Sequence, residues 1–217
     1  MTQYHLPQSQ YYPEVTQKKS IYIHHTAGWD NPKSVVDSWA KDARGRIATH
    51  YLIGGINPAT GDDTNDGMVV EAIAPKYWAH HLGVNRELDK SSISIELCSM
   101  GYLEYKHDKY HTYVGKPVTH GIYDLGHPWR GYRWWCSYSE AQITALKTLL
   151  MELSATHGID LKSGLQERLI KDIPTGFDYS SDVVYQKKFG LFSHSNVRRD
   201  KFDCYPHEAL VAMILGL

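Results

Sequence analysis

The stretch Ser20-Ile21-Tyr22-Ile23-His24-His25-Thr26-Ala27-Gly28 decides how this chain is read. Its first half has the β-branched and aromatic bias of a buried strand. The strand runs into a histidine pair and then into Thr-Ala-Gly, where the chain can turn. Imidazoles at the end of a rigid core strand are well placed to hold a metal, because the strand fixes their direction before any ion arrives. One histidine capping the strand beside an exposed one would give the same pair, so the local pattern leaves both readings open.

Outward from this strand the apolar patterns continue. Residues 1–18 are polar, contain Pro7 and Pro13, and read as an extended lead-in, leaving 19–217 as the folded domain. Asn31-Pro32 predicts a helix start, with Asn31 as N-cap and Pro32 at the first helical position. Val35, Val36, Trp39 and Ala43 then share one helical face up to Gly45. Strands are expected at 47–54, 68–73 and 91–97, the last with clean alternation. Between them, Trp78 to Gly83 is a loop carrying a second histidine pair, His80-His81. Residues 99–138 are rich in Tyr, Gly and Trp without a sustained period, and are too long for a structureless connection. Ser139 to His157 is the clearest helix: Ser139 and Gln142 have capping-box spacing, Ile143, Leu146, Leu149, Leu150 and Leu153 form one face, and Gly158 supplies the stop. A short helix at 163–170, a strand at 189–192 and a closing helix at 206–217 complete a single α/β domain in which mixed strands and helices surround one sheet.

The bulk numbers set limits on function. A net charge of −1 over 217 residues gives no field that would favour nucleic acid or an anionic membrane. Cys98, Cys136 and Cys204 are odd in number and far apart, so no disulfide framework is implied and a reducing site of synthesis is the simpler expectation. The first residues lack the basic and apolar regions of a signal peptide. No apolar run approaches the roughly 18 residues of a membrane span, so a soluble protein is expected.

The second informative stretch is Phe192-Ser-His-Ser-Asn-Val-Arg-Arg-Asp-Lys-Phe-Asp-Cys-Tyr-Pro206, which gathers His194, Lys201, Asp203 and Cys204 at a strand end. Catalytic zinc commonly takes three protein ligands and leaves a fourth position open. His24, His194 and one of Asp203 or Cys204 would make such a set. An ordinary solvated charge cluster over 198–203 would account for the same residues.

Taken together, the pieces resemble the zinc-dependent N-acetylmuramoyl-L-alanine amidases of the type-2 group, which share a fold with phage T7 lysozyme and the peptidoglycan recognition proteins. The resemblance spans Ile21 to Pro206 in five pieces that occur in the family's order, and implies a central mixed β-sheet flanked by helices. Ile21-Tyr-Ile-His-His-Thr-Ala looks like the family's first strand, which makes His24 a zinc ligand. Ala48-Thr-His-Tyr-Leu-Ile looks like the second strand, with His50 packed inside. Trp78-Ala-His-His-Leu-Gly resembles a loop beside the substrate, which implies substrate-binding roles for Trp78 and His81. Ser92-Ile-Ser-Ile-Glu-Leu resembles the strand whose Glu is the candidate general base, here Glu96. The His…Lys-x-Asp ending implies His194 and Asp203 as the remaining ligands and Lys201 as the catalytic cation.

Two departures matter. Asp203 and Cys204 stand side by side, and the proline that commonly follows the third ligand arrives only at Pro206. Cys204 is therefore the alternative third ligand, since thiolate also suits zinc. The second-strand position where some relatives place a Tyr base is Thr49, which favours Glu96. The resemblance implies hydrolysis of the amide between N-acetylmuramic acid and L-alanine of the stem peptide, with bacterial peptidoglycan as partner. It further implies a phage or prophage lytic enzyme, held in the host cytoplasm until lysis or carried on a particle. Trp134 and Trp135 are candidates to line a groove, though packing explains either one as well. A recognition module without catalysis, or a structural phage component on the same fold, is the competing reading.

Overall fold

In the computed structural model, which describes residues 1–217, strands and helices are interspersed along the chain. The order begins with β1 (Thr2–Gln3), β2 (Ser20–His25), α1 (Pro32–Ala40), β3 (Tyr51–Ile53), β4 (Val69–Glu71), α2 (Arg86–Lys90) and β5 (Ser92–Leu97). Five strands follow: β6 (Tyr102–Lys106), β7 (Lys109–Thr112), β8 (Pro117–Val118), β9 (Ile122–Trp129) and β10 (Tyr132–Cys136). The chain then forms α3 (Glu140–His157), α4 (Leu165–Lys171), α5 (Ile173–Gly176), α6 (Ser181–Val184), β11 (Gly190–Ser193) and α7 (Glu208–Leu215).

The first sheet has the order β1-β4-β3-β5-β2-β11 and is mixed: only β3 and β4 run antiparallel. Its parallel centre explains why β2 is buried along its whole length, since strands covered on both faces read as continuous apolar runs. Ile21, Ile23, Ile93 and Ile95 pack under α3 and α7 in the main core, with Leu146, Leu150, Leu210 and Ile214 facing them. Tyr22 lies on the opposite face with Leu82, Leu88, Val183, Phe192 and Val197. Helix α3 begins on the expected reciprocal capping box of Ser139 and Gln142 and ends at Gly158 in a left-handed conformation, which glycine adopts without a Cβ clash. No helix is long and apolar enough to cross a membrane.

Four expectations change. Helix α1 stops at Ala40, three residues short of Ala43, because Lys41 and Asp42 donate back to Ser38 and Trp39 in a closing turn. The second strand begins at Tyr51 instead of residue 47, because Ala48 N–H is spent on the His80 carbonyl outside the sheet. The excursion at 99–138 is a second sheet, order β8-β7-β6-β10-β9, whose strands are antiparallel. The lead-in does not trail free of the domain. Its strand β1 extends the first sheet alongside β4, and Leu6 is buried in a small core with Val70 and Ile73.

Candidate metal centre

The side-chain alternation of β2 separates the histidine pair. His25 joins Ile21 and Ile23 on the helix-covered face, where its Nδ1 lies 2.9 Å from Tyr138 Oη. His24 takes the other face, at the carboxyl end of the parallel strands, where open α/β sheets place their ligand crevices. Register completes the group. His24 pairs with Glu96 on β5, and Ile23 pairs with Ser193 on β11, so one further step brings His194 beside His24. His194 opens a 3-10 turn closed by Ser193 and Asn196, and Ser195 N–H donates to the Asp203 carbonyl at 3.1 Å. That bond folds the following loop back over His194.

His24 Nδ1 and His194 Nδ1 are 3.0 Å apart, and Asp203 Oδ2 lies 3.1 Å from the first and 2.9 Å from the second. The remaining ring nitrogens fix which atoms carry protons in the neutral imidazoles. His194 Nε2 faces the Leu82 carbonyl at 2.9 Å, and a carbonyl only accepts, so this nitrogen holds the ring proton. Ser92 Oγ donates to the Leu88 carbonyl at 2.6 Å, so it accepts from His81 Nε2 at 2.9 Å. His81 Nδ1 is then an acceptor, and His24 Nε2 donates to it at 3.1 Å. Both Nδ1 atoms are left as bare lone pairs aimed at each other and at a carboxylate. Three acceptors at hydrogen-bond distance require positive charge among them. A proton bridges two of them at a time, whereas a metal ion satisfies all three, so the donor set fits a small cation.

The electrostatics agree with that charge pattern. Burial, and then the neighbouring His194, lower the His24 pKa to about 4, so its lone pair persists well below neutral pH. Burial would raise the Asp203 carboxyl, but positive charge shared with His194 and His24 holds it well below the usual carboxylate range. Glu96 goes the other way: burial, then the Asp203 charge, push its carboxyl well above the ordinary value, against the pull of Lys201. Its Oε2 is buried with no hydrogen-bond partner, an orphaned atom beside the cluster.

These groups form the floor of an open cleft of about 510 Å³. Lys201, Phe202, Tyr102 and Tyr113 contribute to its walls, so the second sheet supplies part of the site. The sheet also holds the loop that carries Lys201. Arg130, in the β9–β10 turn, donates to the Lys201 carbonyl, and to the Arg199 carbonyl at 3.0 Å. Nothing in the sequence marks Arg130, because its partners are backbone carbonyls nearly seventy positions away.

The structure thus brings His24, His194, Asp203, Glu96 and Lys201 to one cleft. It does not bring Cys204 there. Cys204 is fully buried in the main core with Tyr138 and Tyr205, and burial pushes its thiol well above the usual range. Trp78 is also misplaced as a substrate contact: its ring is completely buried, stacked on Tyr12 at 3.9 Å, with Nε1 donating to Glu14. His81 lines the cleft, but both its ring nitrogens are engaged by His24 and Ser92 and its side chain is only 1% exposed, which leaves no free nitrogen for a substrate. Trp135 stacks on Tyr205 in the core, and Trp134 packs against Tyr110 under Arg133. His50 is a satisfied core residue, accepting from Ser94 N–H and donating to the Tyr77 carbonyl.

A family model described as N-acetylmuramoyl-L-alanine amidase matches residues 14–201. No curated protein sequence matches the chain. Among solved structures, PlyL is similar at 13% identity and a TM-score of 0.54, covering 99% of this chain and 94% of that one. A mutant of PlyL gives 11% identity and a TM-score of 0.55, over 99% and 97% of the two chains. At this identity the likeness shows the fold. Peptidoglycan recognition protein SD of Drosophila is similar at 16% identity and a TM-score of 0.49, over 98% and 88%. With the match of the family model running from the lead-in through Lys201, this chain belongs to the N-acetylmuramoyl-L-alanine amidase family, in its type-2 group.

Proposed function

We propose that this protein is a zinc-dependent amidase that hydrolyses the bond between the lactyl group of N-acetylmuramic acid and L-alanine of the stem peptide. The observation that carries the reading is the convergence of three unprotonated donors, His24 Nδ1, His194 Nδ1 and Asp203 Oδ2, beside a carboxyl whose Oε2 lacks any partner. Two imidazoles and a carboxylate with an open side suit zinc better than calcium or magnesium, which prefer all-oxygen sites. The chemistry such an ion supplies is Lewis acidity, lowering the pKa of water and polarising the scissile carbonyl.

The chain's own residues supply the rest. Glu96 takes a proton from water and passes it to the departing alanine nitrogen, and its raised pKa suits holding that proton between the two steps. Lys201 sets positive charge on the cleft wall where the oxyanion develops, an interaction strongest in the transition state. Tyr102, Tyr113 and Phe202 offer flat apolar faces to the saccharide and stem peptide. The three buried free thiols suit an enzyme made in a reducing compartment that meets the wall later, as a phage or prophage lytic enzyme does.

The test is mass spectrometry of fragments released from purified peptidoglycan, with and without a zinc chelator. Chelator-sensitive release of stem peptides with a free N-terminal alanine is expected. Glycan fragments with peptides still attached would overturn the choice of bond. Wall binding without release would favour a recognition module.

A further inference from the structure

We infer that the loop Ala79–Gly83 is a tautomer clamp for both imidazoles of the metal centre, with His81 as its positioning residue and Asp89 as its anchor. The inference rests on the metal reading above and concerns residues that do not touch the ion. One short loop reaches the outer nitrogen of each candidate ligand. The His81 side chain accepts from His24 Nε2 at 3.1 Å, and the carbonyl of the next residue, Leu82, accepts from His194 Nε2 at 2.9 Å. Each contact keeps the ring proton on Nε2 and the lone pair on Nδ1, toward the cleft. Metal-binding histidines generally need such an outer acceptor to fix tautomer and ring direction.

His81 can accept only because its own proton is held on the far nitrogen. Ser92 does this: its hydroxyl hydrogen is committed to the Leu88 carbonyl at 2.6 Å, so its oxygen must accept from His81 Nε2 at 2.9 Å. The chain of bonds therefore has one direction, from His24 through His81 and Ser92 to the backbone of α2. The loop itself is held by Asp89, a carboxylate that is 1% exposed. One of its oxygens accepts from His81 N–H at 3.2 Å and Leu82 N–H at 3.0 Å, while the other faces His80 Nδ1 at 2.9 Å. Helix α2 and the first residue of β5 thereby set the aim of two ligands carried on β2 and after β11.

The assay is zinc affinity, measured by competition with a chromophoric chelator on the full chain. His81→Leu removes the acceptor and is expected to weaken zinc binding about 10–100-fold. His81→Asn places an oxygen near the lost Nδ1 and is expected to restore most of the affinity. Long-range ¹H–¹⁵N spectra of the metal-free wild type read the tautomers directly, and His24 and His81 should both carry their proton on Nε2. Either ring lacking its proton on Nε2 overturns the inference, whatever the zinc result and whether or not a variant folds. Unchanged zinc affinity in a folded His81→Leu variant, with weaker binding of wall fragments, would return His81 to the substrate and also overturn it. A wild type that binds no zinc contradicts the metal reading, while the tautomer spectra still decide the clamp.

Discussion

Replacing Glu96 by Gln separates catalysis from stability. Glu96 lies in register with His24 across β2 and β5, and its Oε2 is buried without a partner. Gln has nearly the same shape but cannot take a proton. General-base catalysis by a positioned carboxylate contributes about 10²–10⁴-fold. The variant should lose that factor in kcat, about 3–5 kcal/mol in the barrier. Stability should respond in the opposite sense. The folded pKa of Glu96 is raised, so any stabilisation from this group is present below the unfolded value and lost as pH rises through the folded one. At neutral pH the wild type carries this burden and Glu96→Gln does not. The metal-free variant should therefore unfold at a urea midpoint equal to or above that of wild type. Zinc content should be unchanged, because Glu96 is not among the three converging donors. The assay pairs release of alanine amino groups from a soluble muropeptide with urea unfolding in chelator. Unchanged turnover, lost zinc or a lower midpoint would each refute the role given to Glu96.

Further expectations follow from single contacts. Asp203→Ala should abolish zinc binding, whereas Cys204→Ala should keep it and cost only about 1 kcal/mol of stability for one lost core atom, as read by metal analysis and urea unfolding. His25, His50 and His207 are buried with pKa values lowered to about 4, about 3 and about 4, chiefly by burial. Each stays neutral when folded but gains a proton when unfolded, so chelated protein should lose roughly 1–2 kcal/mol per residue between pH 6.5 and 5; a flat urea midpoint over that range would contradict this. Trp78→Ala should destabilise the fold by roughly 3–5 kcal/mol, from its complete burial against Tyr12, with KM of the folded fraction unchanged. Arg130→Met should lower kcat more than zinc affinity, because it frees the Lys201 backbone and leaves the ligands in place.

What was legible in the sequence was whatever repeats at short range. The run Ile21 to Ile23, the alternation before Glu96 and the reciprocal Ser139–Gln142 cap each depend on neighbours within a few positions, and the structure has all three. Periodicity did not reveal the second sheet. Its strands β6 and β7 have mixed burial on both faces, so neither face writes an apolar alternation. The metal cluster was legible as a possible donor set, and only resemblance favoured Asp203 over Cys204, since His24 and Asp203 are 179 positions apart and meet through strand register. Trp78 lies away from the cleft, and His81 lines it with its ring nitrogens already engaged, for one physical reason. A loop between strands is ordinarily exposed, but this one is folded inward by the buried Asp89 carboxylate, which takes up two of its backbone N–H groups. Residues that serve through backbone carbonyls, such as Leu82 and the partners of Arg130, leave no side-chain signature to read.

The decisive measurement is titration of zinc into chelated, metal-free protein while amide hydrolysis of purified peptidoglycan is followed. Activity should rise linearly and stop at one zinc per chain, with every released stem peptide carrying a free N-terminal alanine. Full activity before zinc is added, or products in which muramic acid and alanine remain joined, would contradict a zinc amidase built on His24, His194 and Asp203.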